Sequence, residues 1–555
     1  MTQHDDARLA RGSTEFIRFL EDTGCRHIFG LPGSSMVAPL HELQDNASVR
    51  YVPTTHEAVT VAAADGYSRV TGFGAALLYM MPGVANGLAN LYNAWCDESP
   101  IIVVTSQQAS NLRTGASTVG EGDFVSLVAP FVRYAQELTY GMPVRSTVEK
   151  ARRAATGVPS GPAFLSMPED VFERDGPVRT ERETTRVGGG APDVTAIAQR
   201  LAEAARPLLV VGGQVRRFGG VEWVERLAED HGVAVAYEPG FNDRLSIGPG
   251  HPGCVGNLVT PTGLAAEAAA DVVLVVGARY MLEAHPRPSD FFPNASFVGQ
   301  VNADPKRLEE TRVANWSCAC DPAAFLRDLY AALAKPSPEL LARRRTGIEK
   351  VNRASLPDSA FARALAAYDA AARPLHDALE RGWVVDEGVM GSPAVVRALK
   401  SVDGRRYVAA SGGSLGWGAA AACGVALASG EPVTCVLGDG ALRFGLQGLW
   451  TAVAEKLPIT FVILDNGGYG STRYFERMYV QRLGPKARPQ RPGYVGMDFR
   501  GLGPSVAQLL EGFDIPVQTV AVGVDGREAL EAAWSRASSE GPQAVVLDLP
   551  FGDEP

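Results

Sequence analysis

Residues 433–470 read VTCVLGDGALRFGLQGLWTAVAEKLPITFVILDNGGYG, and this stretch decides the fold. Its two apolar runs, Val433–Leu437 and Ile459–Leu464, have the length and the β-branched content of buried strands. The amphipathic segment Leu446–Ala454 between them predicts a helix. Two strands joined by one helix are close neighbours in a parallel sheet, so the stretch predicts an α/β fold.

Polar side chains follow both of these strands. Asp439 stands in Gly438-Asp439-Gly440 after the first strand, and Asn466 follows the second strand, 27 positions later. Open α/β sheets bind ligands at the carboxyl ends of their strands. The Asp439 carboxylate, the Asn466 side-chain carbonyl and the Gly468 backbone carbonyl are hard oxygen ligands, which predict an Mg²⁺ site. The two glycines let a phosphate approach the backbone. The alternative is a capping Asp followed by an Asn-Gly turn.

The same alternation of short apolar runs and helical segments recurs along the whole chain. It predicts an α/β fold class of three doubly wound parallel-sheet domains, over residues 1–180, 190–335 and 375–555. A charged linker rich in Gly and Pro is expected over 173–200, and a helical connection over 334–372. The further predicted strands are Ala75–Tyr79, Ile101–Thr105, Pro162–Ser166, Leu208–Val211, Val233–Tyr237, Val272–Val276, Phe297–Val301 and Val545–Leu549.

Composition and charge argue against several classes of protein. Hydrophobic residues are 46% of the chain and charged residues 21%, which is typical of a globular protein. The net charge of −10 disfavours nucleic acid and anionic membrane surfaces as partners. The uncharged stretch 407–430 is rich in Ala and Gly, which favours a buried helix over a membrane span. Seven cysteines, an odd number, and a start without an apolar segment favour a cytoplasmic location.

These motifs resemble the thiamine-diphosphate-dependent enzymes, in which GDG and an Asn at this spacing bind the diphosphate and its metal. The resemblance covers almost the whole chain and is to the group of benzoylformate decarboxylase, acetolactate synthase and benzaldehyde lyase. It implies a pyrimidine-binding, a central Rossmann-like and a diphosphate-binding domain, with thiamine diphosphate and Mg²⁺ as cofactors. Further matching segments are GLPGSS at 30–35, EAVTVAAADGYSR at 57–69, LYNAWCDESPIIVVTSQQ at 91–108, GPAFLSMPED at 161–170 and SGGSLGWG at 411–418.

The resemblance also implies which residues bind the cofactor. Glu57 matches the glutamate that hydrogen-bonds the aminopyrimidine ring; the alternative is a carboxylate that stabilises a helix N-terminus. Gly413 matches the carbonyl that accepts from the ring's amino group, and Leu415 matches an apolar wedge, or else packs in the core. This part of the alignment could shift by one residue. The other implied cofactor-binding residues are Asn86, Gly391, Ser392, Gly438, Asp439, Gly440, Asn466, Tyr469 and Gly470, with Asp439, Asn466 and Gly468 as metal ligands.

Residues 387–392 lie where relatives bind the diphosphate. Relatives often carry hydroxyl side chains at the positions of Val389 and Met390, and this chain does not. Diphosphate binding by this segment is therefore expected to use the backbone or Ser392.

The substrate-contacting residues depart from the group's pattern. Ser34 matches a serine that contacts the substrate carboxylate, with helix capping as the alternative. The group relies on two active-site histidines; Tyr79 stands at the position of the first, and His285 lies one position from the second, as a proton relay or a surface histidine. The bulkier, less basic wall at Tyr79 favours carboligation. The expected pocket residues are Met80 and Met81, together with Tyr469, Thr472 and Phe475, which could equally be helix core.

The resemblance implies a non-oxidative decarboxylase that converts an aromatic or branched 2-keto acid to an aldehyde. A carboligase or synthase that forms a 2-hydroxyketone is the alternative. A non-catalytic homologue is a third reading, against which the intact Glu57, Asp439 and Asn466 argue. Relatives place the cofactor between the first domain of one subunit and the third domain of another, so a homodimer is expected at minimum and a homotetramer is favoured. FAD, which some relatives bind, has no supporting motif here.

Overall fold

The computed structural model contains three six-stranded sheets in which all strands are parallel, and this confirms the predicted fold class of three α/β parallel-sheet domains. The domain boundaries stay a prediction. The structure describes residues 9–44, 46–112, 119–178, 193–238, 244–279, 291–309, 314–354, 360–399, 404–484, 494–521 and 523–549.

The first sheet has the strand order 3-2-4-5-7-6, and a short antiparallel pair, β1 with β8, lies outside it. The strands are β1 (Leu9–Arg11), β2 (His27–Gly30), β3 (Arg50–Pro53), β4 (Gly74–Tyr79), β5 (Ile101–Gln107), β6 (Tyr134–Glu137), β7 (Ala163–Pro168) and β8 (Asp175–Pro177). The helices are α1 (Gly12–Asp22), α2 (Val37–Gln44), α3 (Glu57–Thr71), α4 (Met80–Cys96), α5 (Phe124–Val128), α6 (Val144–Thr156) and α7 (Glu169–Glu173), with 3₁₀ turns at Ser34–Met36, Ser110–Leu112 and Ala129–Phe131.

The central sheet has the strand order 11-10-9-12-13-14, in which the chain reverses direction across the sheet between β9 and β12. The strands are β9 (Pro207–Val211), β10 (Ala234–Tyr237), β11 (Cys254–Asn257), β12 (Val272–Val276), β13 (Phe297–Asn302) and β14 (Trp316–Ala319). The helices are α8 (Thr195–Glu203), α9 (Gly213–Arg217), α10 (Val221–His231), α11 (Pro261–Ala269), α12 (Pro305–Glu309), α13 (Pro322–Ala332) and α14 (Pro338–Asn352).

The third sheet has the strand order 16-15-17-18-20-19. The strands are β15 (Trp383–Glu387), β16 (Tyr407–Ala409), β17 (Val433–Gly438), β18 (Ile459–Asp465), β19 (Val517–Val520) and β20 (Gln543–Asp548). The helices are α15 (Ala360–Ala372), α16 (Ala378–Arg381), α17 (Ser392–Ala398), α18 (Gly418–Ser429), α19 (Asp439–Phe444), α20 (Gln447–Ala454), α21 (Gly470–Leu483), α22 (Val506–Glu511) and α23 (Arg527–Glu540), with 3₁₀ turns at Arg373–Leu375, Val389–Gly391 and Gly404–Arg406.

The stretch that decides the fold differs from its prediction in one respect. β17 and β18 are parallel neighbours as expected, but two helices, α19 and α20, connect them instead of one. The chain enters α19 directly at Asp439, so the first turn of that helix lies at the carboxyl edge of the sheet. This places the Asp439 side chain at a helix start as well as at a strand end.

The linker predicted over 173–200 is shorter than expected. Asp175–Pro177 pairs with β1, and α8 begins at Thr195. Residues 179–192, between these elements, lie outside the described residues. The uncharged stretch 407–430 forms β16, a loop and α18, and in the described parts of the chain no helix combines the length and the apolar character that crossing a bilayer requires.

The first and third domains meet where α3 packs against α18. A methyl group on Gly66 would lie 2.2 Å from the carbonyl oxygen of Ala421, and one on Gly424 would lie 2.0 Å from the carbonyl oxygen of Ala63. Only glycine permits backbones to approach this closely. The helix that begins at Glu57 is therefore fixed directly against the third domain.

Gly66→Ala is expected to lower the free energy of unfolding by about 1–3 kcal/mol, because the new methyl group meets backbone of the facing helix. Gly347, within α14, provides the matched control, since a methyl group there meets nothing within 4 Å. Gly347→Ala is expected to be neutral or to stabilise by up to about 1 kcal/mol. Chemical denaturation of both variants measures the difference, and equal stabilities would contradict the close helix contact.

Candidate active site

Asp439 lies at the carboxyl edge of the third sheet with one oxygen unsatisfied. The pairing of Gly438 with Leu464 places it beside Asp465, at the end of the neighbouring strand. Asp439 is 2% exposed, and its Oδ2 has no hydrogen-bond donor among the residues that the structure describes. Burial, together with the Asp465 carboxylate, raises the pKa of Asp439 to about 7. A cation bound at this oxygen would offset the cost of ionising the buried group.

Asn466 follows β18 and is held by hydrogen bonds at both ends of its amide. Its Oδ1 accepts from the backbone N–H of Gly468 at 3.1 Å, and its Nδ2 donates to the Tyr368 hydroxyl at 2.6 Å. The buried Arg473 donates to the Gly467 carbonyl oxygen at 2.9 Å and so secures the turn that follows. The structure therefore brings two of the predicted metal ligands, Asn466 and Gly468, into one rigid turn next to the strand that ends before Asp439.

Neighbouring side chains pack closely against two glycines beside these groups. A methyl group on Gly440 would lie 3.4 Å from the Tyr469 ring. One on Gly391 would lie 2.3 Å from Leu464 and 3.1 Å from the Tyr368 ring. The predicted diphosphate-binding residues at this edge of the sheet are Gly391, Ser392, Gly438, Gly440, Tyr469 and Gly470.

The turn after β15 is organised around the buried Asp386. Its carboxylate accepts from the Gly388 N–H at 2.7 Å, from the Ser392 hydroxyl at 2.9 Å and from the Tyr407 hydroxyl at 2.8 Å. The Ser392 hydroxyl, which the sequence offered as a diphosphate donor, is thus bound to Asp386. In Val389, φ is 54°, a left-handed conformation that is uncommon for a residue with a side chain.

Two side chains, one on α4 and one on the residue after it, hold the loop 411–418, which contains Gly413 and Leu415. The Ser411 N–H donates to Asp97 at 3.0 Å. The amide of Asn93 pairs with the Ser414 backbone in both directions, accepting from its N–H at 3.1 Å and donating to its carbonyl oxygen at 2.9 Å. The first domain of the same chain therefore positions the two residues predicted to contact the cofactor rings.

Glu387 holds the other end of this loop. The carboxylate is buried at the end of β15 and accepts from three consecutive backbone N–H groups, those of Gly416, Trp417 and Gly418, at 2.8, 3.2 and 2.8 Å. Burial raises the pKa of Glu387 to about 7, although these three hydrogen bonds oppose the rise. Gly413, with φ of 78°, lies between the two anchored ends.

Glu57 forms a second group, at the carboxyl edge of the first sheet. It is the first residue of α3, and its Oε2 accepts from the Asn86 side chain at 3.0 Å. A methyl group on Gly83 would lie 3.0 Å from its Oε1. Two residues of α4 therefore close on the carboxylate, and the structure brings together the predicted pair Glu57 and Asn86.

Ser34 and Tyr79 meet at the same edge of the first sheet. Their hydroxyl groups are 3.0 Å apart, and either can be the donor. The Tyr79 ring lies against Gly33, where a methyl group would overlap it at 1.8 Å. Met80 follows with φ of 50°, a strained conformation of the kind found at functional sites. Met81 is half-buried beside this turn and its N–H donates to the Val119 carbonyl oxygen at 3.1 Å.

Two further predicted pocket residues lie on α21. Thr472 and Phe475 are on the exposed side of α21, where Phe475 is 38% exposed. His285 lies outside the described residues. No hydrogen bond among the described residues joins the group around Glu57 to the group around Asp439 within one chain.

Sequence reasoning missed four side chains that organise these groups: Asn93, Asp97, Tyr368 and Glu387. Asn93 and Asp97 stood within the quoted segment 91–108, and Glu387 at the start of the segment 387–392, so a local signal existed for three of them. Their partners are far away in the sequence, which is why no role could be assigned. Tyr368 stands in an Ala-rich helix and carried no signal.

Three family models match the chain, one for each sheet. The N-terminal TPP binding domain of thiamine pyrophosphate enzymes matches residues 10–127, the central domain matches 194–329, and the C-terminal TPP binding domain matches 390–548. The chain belongs to this enzyme family. Glu57 and Asn86 fall in the first of these matches, and Asp439 and Asn466 in the last, so the two groups of side chains lie in the two thiamine-pyrophosphate-binding domains.

Similar proteins include both decarboxylases and synthases. Benzoylformate decarboxylase from Pseudomonas aeruginosa is 27% identical over 95% of this chain and 96% of that protein. The acetolactate synthase isozyme 3 large subunit from Escherichia coli is 25% identical over 84% of each chain. The solved structure of the Rhodococcus jostii thiamine diphosphate-dependent 4-hydroxybenzoylformate decarboxylase shares the fold, with a TM-score of 0.80, 24% identity and coverage of 98% of this chain and 100% of that chain.

The raised pKa of Asp439 leads to a pH dependence of stability in the cofactor-free protein. With a folded-state pKa of about 7 against an ordinary 3.8, the folded protein keeps a proton that the unfolded protein has lost, so stability falls as the pH rises through this range. Asp439→Asn removes this titration. The variant is expected to exceed the wild type in stability by on the order of 2–4 kcal/mol above pH 7 and to match it near pH 4.

Thermal unfolding of the cofactor-free proteins from pH 4 to 8 measures this difference. Asp548→Asn is the control, since Asp548 ends β20 of the same sheet but is partly exposed and paired with Arg500. The same pH dependence in wild type and Asp439→Asn would show that Asp439 ionises normally.

Proposed function

We propose that this protein is a thiamine diphosphate- and Mg²⁺-dependent decarboxylase that converts an aromatic or branched 2-keto acid to an aldehyde. The observation that carries the proposal is the buried Asp439 Oδ2, which has no donor in the described part of the chain and lies beside the Asn466 turn. Carboxylate, amide and backbone oxygens are the ligand set of Mg²⁺. This donor set fits the metal that would bind a diphosphate at the edge of a parallel sheet.

The residues of the two binding domains fit the cofactor as well. Asp439, Asn466 and the Gly468 carbonyl would hold Mg²⁺, and the backbone around Gly391 and Gly440 would hold the diphosphate. When bound, thiamine diphosphate supplies the electron sink on which a 2-keto acid loses CO₂. The protein's own contribution is to orient the reacting groups, to exclude water and to move protons at defined atoms.

Glu57 is the proposed acid–base group. Asn86 donates a hydrogen bond to its Oε2, so this oxygen is held in one position. The other oxygen, Oε1, lies against Gly83, where the absence of a side chain leaves space. A carboxylate held in this way can share a proton with a ring nitrogen of the aminopyrimidine. The loop anchored by Asn93 and Glu387 would present the Gly413 carbonyl and the Leu415 side chain to the other face of the cofactor.

Ser34 and Tyr79 form the proposed contact with the substrate carboxylate. Their hydroxyl groups already lie within hydrogen-bonding distance of each other, so both can donate to one anion. Tyr79 would also deliver the proton that completes the aldehyde, at the position where benzoylformate decarboxylases have histidine. His285 is proposed as a further proton relay. Met80, Met81, Thr472 and Phe475 are proposed to line the substrate pocket.

The second candidate function is carboligation, in which a 2-hydroxyketone forms. The observation that favours it is the wall made by Tyr79 and Met81, which has no imidazole to supply a proton. When protonation is slow, a second carbonyl compound can react in place of the proton. Both functions use the same cofactor and differ in whether a proton or a second carbonyl compound completes the reaction.

We also propose that the active unit is a homodimer or a homotetramer in the cytoplasm. Glu57 and Asp439 lie in different domains of one chain, and relatives pair such domains across subunits. A second copy would bring a Glu57 group to each Asp439 group. Phe444 and Trp450, exposed on the third domain at 58% and 38%, would be covered in such an assembly.

A panel of 2-keto acids tests the proposed function. With thiamine diphosphate and Mg²⁺, the protein is expected to release CO₂ from benzoylformate or a branched 2-keto acid at least about tenfold faster than from pyruvate, because the pocket residues are large and apolar. An aldehyde as the sole product supports decarboxylation. A hydroxyketone that forms when an aldehyde is added supports carboligation. If, with the cofactor bound, no 2-keto acid releases CO₂ and no hydroxyketone forms from added aldehyde, both functions are contradicted.

Glu57→Gln is expected to lower turnover by at least about a hundredfold, because the amide cannot exchange a proton with the cofactor ring. Calorimetric titration should still show thiamine diphosphate binding, since the shape of the side chain is kept. Glu203→Gln, on the exposed face of a central-domain helix, is the control and should leave turnover unchanged. Full activity of Glu57→Gln would disprove the role proposed for this residue.

A further inference from the structure

Tyr368 reaches the Asp439–Asn466 edge from outside the third sheet. It is on α15, which precedes the sheet, and it is only 3% exposed. Its ring packs where a side chain on Gly391 would lie, and its hydroxyl accepts from Asn466 Nδ2 at 2.6 Å. The residue falls between the central and C-terminal family matches, which end at 329 and begin at 390, so membership of the family assigns it no role.

The segment that would hold the diphosphate lacks a free hydroxyl of its own. Val389 and Met390 have apolar side chains, and the Ser392 hydroxyl donates to Asp386 at 2.9 Å. A diphosphate carries several negatively charged oxygens, each of which accepts strong hydrogen bonds. A hydroxyl donor from another element would replace the missing one.

The Tyr368 hydroxyl is in a position to be that donor. A phenol oxygen can accept one hydrogen bond and donate another. The bond from Asn466 uses its acceptor side, and among the described residues no hydrogen bond uses its proton. Because Asn466 Nδ2 donates to this oxygen, Oδ1, which also accepts from the Gly468 N–H, is the amide atom that can bind a metal.

We propose that Tyr368 is a cofactor-binding residue whose hydroxyl donates to the diphosphate of thiamine diphosphate and fixes the orientation of the metal ligand Asn466. The inference rests on the proposed function, since it needs the diphosphate and Mg²⁺ at the Asp439–Asn466 edge. Gly391 belongs to the same arrangement, because its missing side chain makes room for the Tyr368 ring. The site then has a donor from α15 where relatives have hydroxyls in the turn after β15.

Tyr368→Phe removes the hydroxyl and keeps the ring. Calorimetric titration of thiamine diphosphate into the cofactor-free protein with saturating Mg²⁺ is expected to show an affinity at least about tenfold lower than that of the wild type. Inorganic diphosphate, measured by competition, should lose affinity by a similar factor because the contact is with the diphosphate. Tyr237→Phe is the matched control: Tyr237 is also buried, and its hydroxyl donates to the Ile247 carbonyl oxygen in the central domain.

The outcomes separate this inference from the proposed function. Unchanged affinity in Tyr368→Phe, with binding abolished in Asp439→Asn, would overturn the role of Tyr368 and leave the site standing. Unchanged affinity in Asp439→Asn would overturn the site itself. If Tyr368→Phe and Tyr237→Phe lower the melting temperature alike and neither changes the affinity, the Tyr368 hydroxyl only supports the fold and the inference is wrong.

Discussion

The buried ion pairs of Arg69 are the constraint on which the rest of the structure depends. Its guanidinium donates to Asp65 and to Asp97, each at 2.7 Å, and it is nearly inaccessible to solvent. The same two carboxylates accept from the third domain, Asp65 from the Trp417 indole at 2.8 Å and Asp97 from the Ser411 backbone. Removing one partner of a buried pair leaves an uncompensated charge, typically at a cost of about 3–5 kcal/mol. Through Asp65 and Asp97, the Arg69 guanidinium thus connects α3 and the end of α4 to both ends of the loop 411–418.

The central domain secures the other side of this junction. Glu98, whose φ is 52°, receives a hydrogen bond from the Gln214 amide at 2.8 Å and an ion pair from Arg217. Gln214 also donates to Asn302 at 3.0 Å, across the point where the strand order of the central sheet reverses. Such reversal points often hold nucleotides. Here the Gln214 side chain donates to Glu98 of the first domain, so this part of the edge joins two domains.

The sequence predicted the elements whose signals are local, and not the contacts between them. Strand-end positions such as Asp439 and Asn466 follow from apolar runs of known length, so the site edge of the third sheet could be predicted. The hydrogen bonds between Asn93 and Ser414 join residues 321 positions apart, and the sequence around either residue does not predict the other as its partner. Tyr368 was missed for a related reason: an Ala-rich helix contains no motif, and only folding shows that its one tyrosine reaches Asn466. The second connecting helix was missed because Asp439-Gly440 resembles a turn when the helix that follows is a short one.

Four carboxyl groups stand at the edge of three adjacent strands in the third sheet, and hydrogen bonding separates their roles where sequence cannot. Asp386 and Glu387 accept from three donors each, so both oxygens of each group already have a donor within the protein. Asp465 accepts from the Gly467 N–H at 2.9 Å and closes the turn around Asn466. Asp439 keeps a buried oxygen without a donor in the described part of the chain. A buried, uncompensated carboxylate destabilises a fold unless a ligand compensates it. The position of that oxygen therefore supports the cation site proposed at Asp439, beside the other three carboxyl groups.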